Sequence, residues 1–142
     1  MVGDSDRKAN QQTSSALSAA LEAALGGALT PAQARFAALA AEDWSAEELP
    51  GVEAGDVAAE LAALYRFAEA SADEALALRV RTAKGGDVLE IVQPDRPFLV
   101  DSIMGAIAET GFSVRAMFHP MVEIAGQRRS LIQVWLEPVG QD

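Results

Sequence analysis

The chain has 142 residues, half of them hydrophobic but only 6% aromatic, the length of one ordinary domain or of two very small ones sharing a core. It has no cysteine, which excludes a disulfide framework and thiolate zinc sites and fits a reducing compartment. Its net charge of -10 is uneven, with 13 acids against 4 bases in residues 1–75 and 8 against 7 in residues 76–142; the acidic first half and the lack of a Lys/Arg stripe with interleaved aromatics argue against nucleic acid and anionic membranes as partners.

The first 15 residues are polar and lack an apolar signal core, and no stretch reaches the ~18 apolar residues of a membrane span, so the chain reads as cytoplasmic. Residues 1–12 are expected to form a disordered tail. Thr13 or Ser14 then caps a helix in which Leu17, Leu21 and Leu25 recur every fourth residue, and Gly26-Gly27 stops it. Thr30-Pro31 pairs an N-cap with proline at the first helical position and opens a second helix to about Ala41, carrying Phe36 and Leu39. Ser45 to Glu48 has capping-box spacing but runs into Pro50-Gly51, which predicts a short helix or a turn. Asp56 is placed to cap a third helix with Val57, Leu61, Leu64, Tyr65 and Ala68 at helical period. Residues 13–75 therefore read as a helical leader.

At about Leu76 the period changes to two: Leu78, Val80 and Thr82 point one way, Arg79 and Arg81 the other, as in a half-exposed strand. Lys84-Gly85-Gly86 supplies turn chemistry, and Val88-Leu89-Glu90-Ile91-Val92 follows as its hairpin partner, apolar enough to be central. Pro94 to Pro97 ends that strand and starts a helix to Thr110-Gly111, with Leu99, Ile103, Ala106 and Ile107 on its inner face. Strands over about 112–124 and 129–137 form a second hairpin through Ala125-Gly126-Gln127. Pro120 lies inside the first of these and has no N–H for a ladder, so that strand belongs at an edge or carries a bulge.

Few residues point to chemistry. His119 is the only histidine, and a metal site would need carboxylates brought from elsewhere. Ser102, Asp101 and His119 are the residue types of a hydrolase triad, but Ser102 lies within a helix and has no nucleophile elbow. Gly85-Gly86, Gly105 and Gly111 form no nucleotide fingerprint. No catalytic and no metal-binding residue is therefore assigned. The helix N-terminus after Asp95 leaves free N–H groups that suit a small carboxylate, although spacing alone favours plain capping, with Asp95 satisfying those donors itself.

The run Pro94 to Ser102, then Gly111-Phe112-Ser113-Val114, Phe118-His119-Pro120 and Gln133-Val134-Trp135, resembles the first ACT-like region of the large bacterial NAD-dependent glutamate dehydrogenases. The resemblance covers roughly residues 30–138. It implies an α+β fold, an ACT-like (ferredoxin-like) antiparallel four-stranded sheet with a helix on one face, preceded by the all-α leader, with 76–142 a truncated ACT-like domain. It implies a non-catalytic structural or assembly role in an enzyme whose NAD-binding and catalytic parts lie elsewhere, so that this chain itself holds no cofactor and its partners are the remaining domains or subunits. An amino-acid-sensing role is the alternative, with Asp95, Arg96, Pro97, Phe98 and Asp101 as effector-binding candidates; a free-standing adaptor is a third. Sensing ACT domains usually have glycine where this chain has Phe98, whose ring would fill the space beside the backbone.

The sheet order follows from the ACT-like topology that the resemblance implies, with the first hairpin standing in for the missing last strand. Strand 77–82 stands where the last ACT strand would pair with 88–92, giving the order 77–82, 88–92, 129–137, 112–124. The rest of the face covered by the helix 97–110 is expected to be covered by the leader, through Leu61, Leu64 and Tyr65, or by another subunit.

Overall fold

The computed structural model describes residues 15–44, 49–95 and 99–137; the expected tail, the caps at Thr13 or Ser14 and the turn at 45–48 lie outside them. Residues 15–24 are helical (α1), and Leu17 and Leu21 are fully buried. The glycine pair ends this helix as a Schellman motif: Gly27 N–H donates to the Glu22 carbonyl at 2.8 Å and Gly26 N–H to that of Ala23 at 3.2 Å, both glycines having positive φ. Helix α2 spans Pro31–Asp43, and its capping box is complete. Thr30 Oγ1 accepts the Gln33 N–H at 3.1 Å while Gln33 Oε1 accepts the Thr30 N–H at 2.9 Å.

Helix α3 spans Ala54–Ala70, so Asp56 is not its cap. Glu53 occupies the cap position, and Asp56 reaches back from the first turn to accept its N–H at 3.2 Å. The same orphan donors are satisfied from a different position. Val57, Leu61, Leu64, Tyr65 and Ala68 are all buried, as their period requires.

The strands are β1 (Ala77–Ala83), β2 (Gly86–Pro94), β3 (Val114–Phe118), β4 (Met121–Ile124) and β5 (Gln127–Leu136), with helix α4 (Leu99–Thr110) between β2 and β3. All pairings are antiparallel, in the order β1-β2-β5-β3, with β4 also on β5. This is the order expected, with β2 central. The expected strand 112–124 appears as two pieces because of Pro120. Phe118 pairs with Gln133 and Met121 with Ser130, so the register runs straight through the break. Between them the Leu131 N–H donates to the Pro120 carbonyl at 2.9 Å, and proline has no N–H to return the bond. The outer strand also carries a register shift between Val114 and Ala116.

The sheet is covered on both sides. Val88 and Val92 of β2, Ala116 and Phe118 of β3, and Leu131 and Trp135 of β5 pack with Phe36, Leu61, Leu64, Tyr65 and the other buried leader residues. Alternate positions Ile91, Ile132, Val134 and Leu136 pack with Leu99, Ile103, Met104 and Ile107 of α4. The leader therefore lies on the face opposite α4, α2 over β3 and β4 and α3 over β5, which corrects the expectation that it completes the α4 face. The reason lies in β2 and β5, whose apolar residues occupy both alternating sets and so demand cover on both sides. Ala106, expected to face inward, is exposed.

Candidate functional site

The candidate effector turn joins β2 to α4. Asp95 is exposed and lies 3.6 Å from Arg128, and Asp101 is exposed in the first turn of α4. Arg96, Pro97 and Phe98 lie outside the described residues. Ser102 is exposed on α4, whereas the His119 ring pairs with a different serine: its Nε2 lies 2.5 Å from Ser130 Oγ. Ser130 is fully buried on β5 and so closed to a substrate. The backbone N–H of His119 donates to Asp43 Oδ2 at 2.9 Å, tying the end of α2 to the outer strand. Burial holds the His119 pKa below its ordinary value against the pull of the Asp43 and Asp95 charges. Burial likewise raises the Asp43 carboxyl, against the hydrogen bond and charge of His119. Among the described residues no group of three or more His, Asp or Glu is placed to hold a metal ion.

The most organised polar cluster sits under α3. Glu90 is fully buried on β2, and its carboxylate accepts from Arg79 Nε at 2.6 Å, Arg81 Nε at 2.8 Å, Arg81 Nη2 at 3.1 Å and Gln133 Nε2 at 2.7 Å. Burial by itself would raise this carboxyl, but the hydrogen bonds from Arg81, Gln133 and Arg79 together hold it below its ordinary value. The same side chains reach the leader. Arg79 Nη2 donates to the Ala63 carbonyl at 3.0 Å and its guanidinium lies 4.1 Å from the Phe67 ring centroid; Arg81 pairs with Glu60 at 2.6 Å; Gln133 Nε2 donates to the Glu60 carbonyl at 3.0 Å. Trp135 Nε1 completes the chain by donating to Gln133 Oε1 at 2.8 Å. With Glu90 accepting from four donors whose side chains also reach α3, this cluster works as a clamp between sheet and leader. The period-two alternation of β1 contained the signal for it: Arg79 lies directly opposite Glu90, and a lone acid inside an apolar central strand needs such partners.

The clamp also inverts β1. Its arginines point to the leader, and its apolar residues point out beside α4, where Leu78 and Val80 are 60% and 62% exposed and adjoining Leu76 is 56% exposed. A cavity of about 340 Å³ lies elsewhere, between Tyr65, Glu69, Ala72 and the Glu123 to Ala125 turn.

The family model for the ACT1 domain of glutamate dehydrogenase matches residues 36–137. The chain belongs to that family. No curated protein and no solved structure gives a significant match. The ACT1 match includes the whole sheet and α4 but begins in α2 at Phe36, so two of the leader helices belong to the matched unit along with the strands they cover. In this ACT1 domain the clamp residues Glu60, Arg79, Arg81, Glu90 and Gln133 all lie inside the match. No described helix is long and apolar enough to cross a membrane.

Proposed function

We propose that this ACT1 domain is a non-catalytic structural and assembly module of an NAD-dependent glutamate dehydrogenase. The parent reaction is the conversion of glutamate and NAD to 2-oxoglutarate, ammonia and NADH, carried out in the cytoplasm by domains outside this chain, which hold the NAD. The observation that carries the reading is the uncovered strip Leu76, Leu78 and Val80. These side chains stand together on a sheet whose remaining apolar positions are covered on both faces, and a contiguous exposed apolar surface marks a contact with another part of an assembly.

Two experiments test this. In the enzyme that carries the domain, Leu78→Asp with Val80→Asp should change the assembly seen by light scattering while leaving the circular dichroism of the isolated domain unchanged. The isolated chain should form no NADH from glutamate and NAD. Turnover that survives repurification would overturn the non-catalytic reading. A saturable rise in melting temperature with one amino acid at millimolar concentration would replace assembly by sensing, since a ligand stabilises by RT ln(1 + [L]/Kd).

A further inference from the structure

We infer that the junction of α2, β5 and the break in the outer strand is a proton-operated latch: with a neutral His119 ring it holds the three together, and with a protonated ring it opens.

Three elements meet at this residue. His119 lies half-buried between β3 and β4. Its backbone N–H donates to Asp43 Oδ2 at the end of α2 at 2.9 Å, and its ring Nε2 lies 2.5 Å from Ser130 Oγ of β5. Pro120 follows, buried, with its carbonyl accepting the Leu131 N–H at 2.9 Å. Proline has no N–H to add a further rung here. The side-chain bond from His119 to Ser130 therefore supplements the ladder where the outer strand is broken.

The chemistry of that bond sets its response to protons. Ser130 is fully buried, and among the described residues the partner of its hydroxyl is His119 Nε2. A neutral ring with its lone pair on Nε2 accepts the serine O–H, and neither group is left unpaired. An imidazolium carries a proton on both nitrogens, so Nε2 must donate and the serine proton is left buried without an acceptor. Burial of the ring acts in the same direction and holds the His119 pKa below its ordinary value of 6.5. The charges that act on the ring are Asp43 of α2 and Asp95 just after β2, and both favour the imidazolium. Asp95 also lies 3.6 Å from Arg128 of β5, which offsets part of its pull. Both carboxylates belong to exposed residues. An imidazolium gains by leaving Ser130 and turning outward to them, so opening is coupled to proton uptake.

Because the folded pKa is depressed, the contribution of the latch is complete above 6.5 and is lost as pH falls from there through the folded value. The clamp is untouched in that range, since Glu90 is held below its ordinary value of 4.5. Mild acid thus loosens the α2 end of the leader and the outer strand while α3 stays tied to the sheet.

His119 is the sole histidine of the chain, so its ring protons can be followed by NMR without overlap. They should titrate below 6.5, and Ser130→Ala, which removes the O–H that favours the neutral ring, should move the midpoint upward. Hydrogen exchange of the whole chain from about pH 7.5 to about pH 5.5, corrected for the intrinsic pH dependence of exchange, should show the His119 and Leu131 amides opening more often in acid, by up to about tenfold per pH unit. The amides of β1 and β2 should keep their protection. His119→Asn leaves a polar side chain that does not titrate and should flatten the dependence. A midpoint at or above 6.5, a midpoint that Ser130→Ala leaves in place, exchange at His119 and Leu131 as indifferent to pH as that of β1 and β2, or a dependence that persists in His119→Asn would overturn the latch.

Discussion

Replacing Glu90 by glutamine keeps the shape of the side chain and removes its charge, and the consequence can be worked from the geometry. The carboxylate accepts three hydrogen bonds from two guanidinium groups and one from Gln133. A glutamine amide offers one accepting oxygen and turns its NH2 toward donors, so at least one arginine contact becomes repulsive. Breaking a buried ion pair from one side typically costs about 3–5 kcal/mol, and because Arg79 and Arg81 retain 31% and 25% side-chain exposure the lower end applies, about 3 kcal/mol. For a chain of this size that corresponds to a fall in melting temperature of about 10 °C. The pH dependence gives an independent check. The Glu90 pKa is lower in the fold than its ordinary value of 4.5, so its contribution is present above that value and is lost as pH falls through the folded pKa. Urea denaturation of both chains, followed by circular dichroism between pH 7 and pH 3, should show the gap at its full size at neutral pH and narrowing in acid. A gap under about 1 kcal/mol at pH 7, or one that does not narrow, would refute the clamp as the tie between leader and sheet.

Three further substitutions probe single contacts. Gly85→Ala should cost about 1–3 kcal/mol in urea denaturation, because a Cβ there would stand 2.7 Å from Val52 Cγ2 and 3.3 Å from Trp135 Cζ3. Ala125→Gly should add roughly 0.5–1 kcal/mol, since Ala125 has φ 52° in the β4–β5 turn; no gain would mean that the turn tolerates alanine without strain. Asp43→Ala should cost about 1 kcal/mol and speed hydrogen exchange at the His119 amide, whose acceptor it removes; unchanged exchange would show that the α2 contact does not protect the outer strand.

The parts of this fold that are legible in the sequence are those governed by local stereochemistry. Gly26-Gly27, Thr30-Pro31 and Pro120 each announce a helix end, a helix start and a broken outer strand through backbone constraints that no tertiary contact overrides. The sheet order was also legible, but only through the ACT-like resemblance, because the two hairpins fix which neighbours pair within each and not that β2 lies beside β5. The position of the leader was not: apolar residues in both alternating sets of β2 and β5 show that both faces need cover, but not which helices supply it. Gly85 looks like ordinary turn chemistry, yet its constraint comes from Val52 and Trp135, which are distant in sequence. The clamp was half visible, as an unexplained acid at Glu90 opposite a strand with two arginines. Of the candidate effector residues, the structure places Asp95 and Asp101 at the surface, and the pairing of His119 with Ser130 rather than Ser102 depends on a strand register that single residues do not reveal.

The contact between leader and sheet bears on where this domain can be cut. Val88, Val92, Leu131 and Trp135 are buried by the leader cluster, and Gln133 and Arg79 are bonded to carbonyls of α3. A fragment beginning at the first strand would expose that apolar face and a charged network built to be enclosed. The heritable unit should therefore begin upstream of the sheet, and the family match does begin there, at Phe36. A gene fusion or truncation that keeps the strands and discards α2 and α3 should yield an insoluble product, however complete its ACT-like topology.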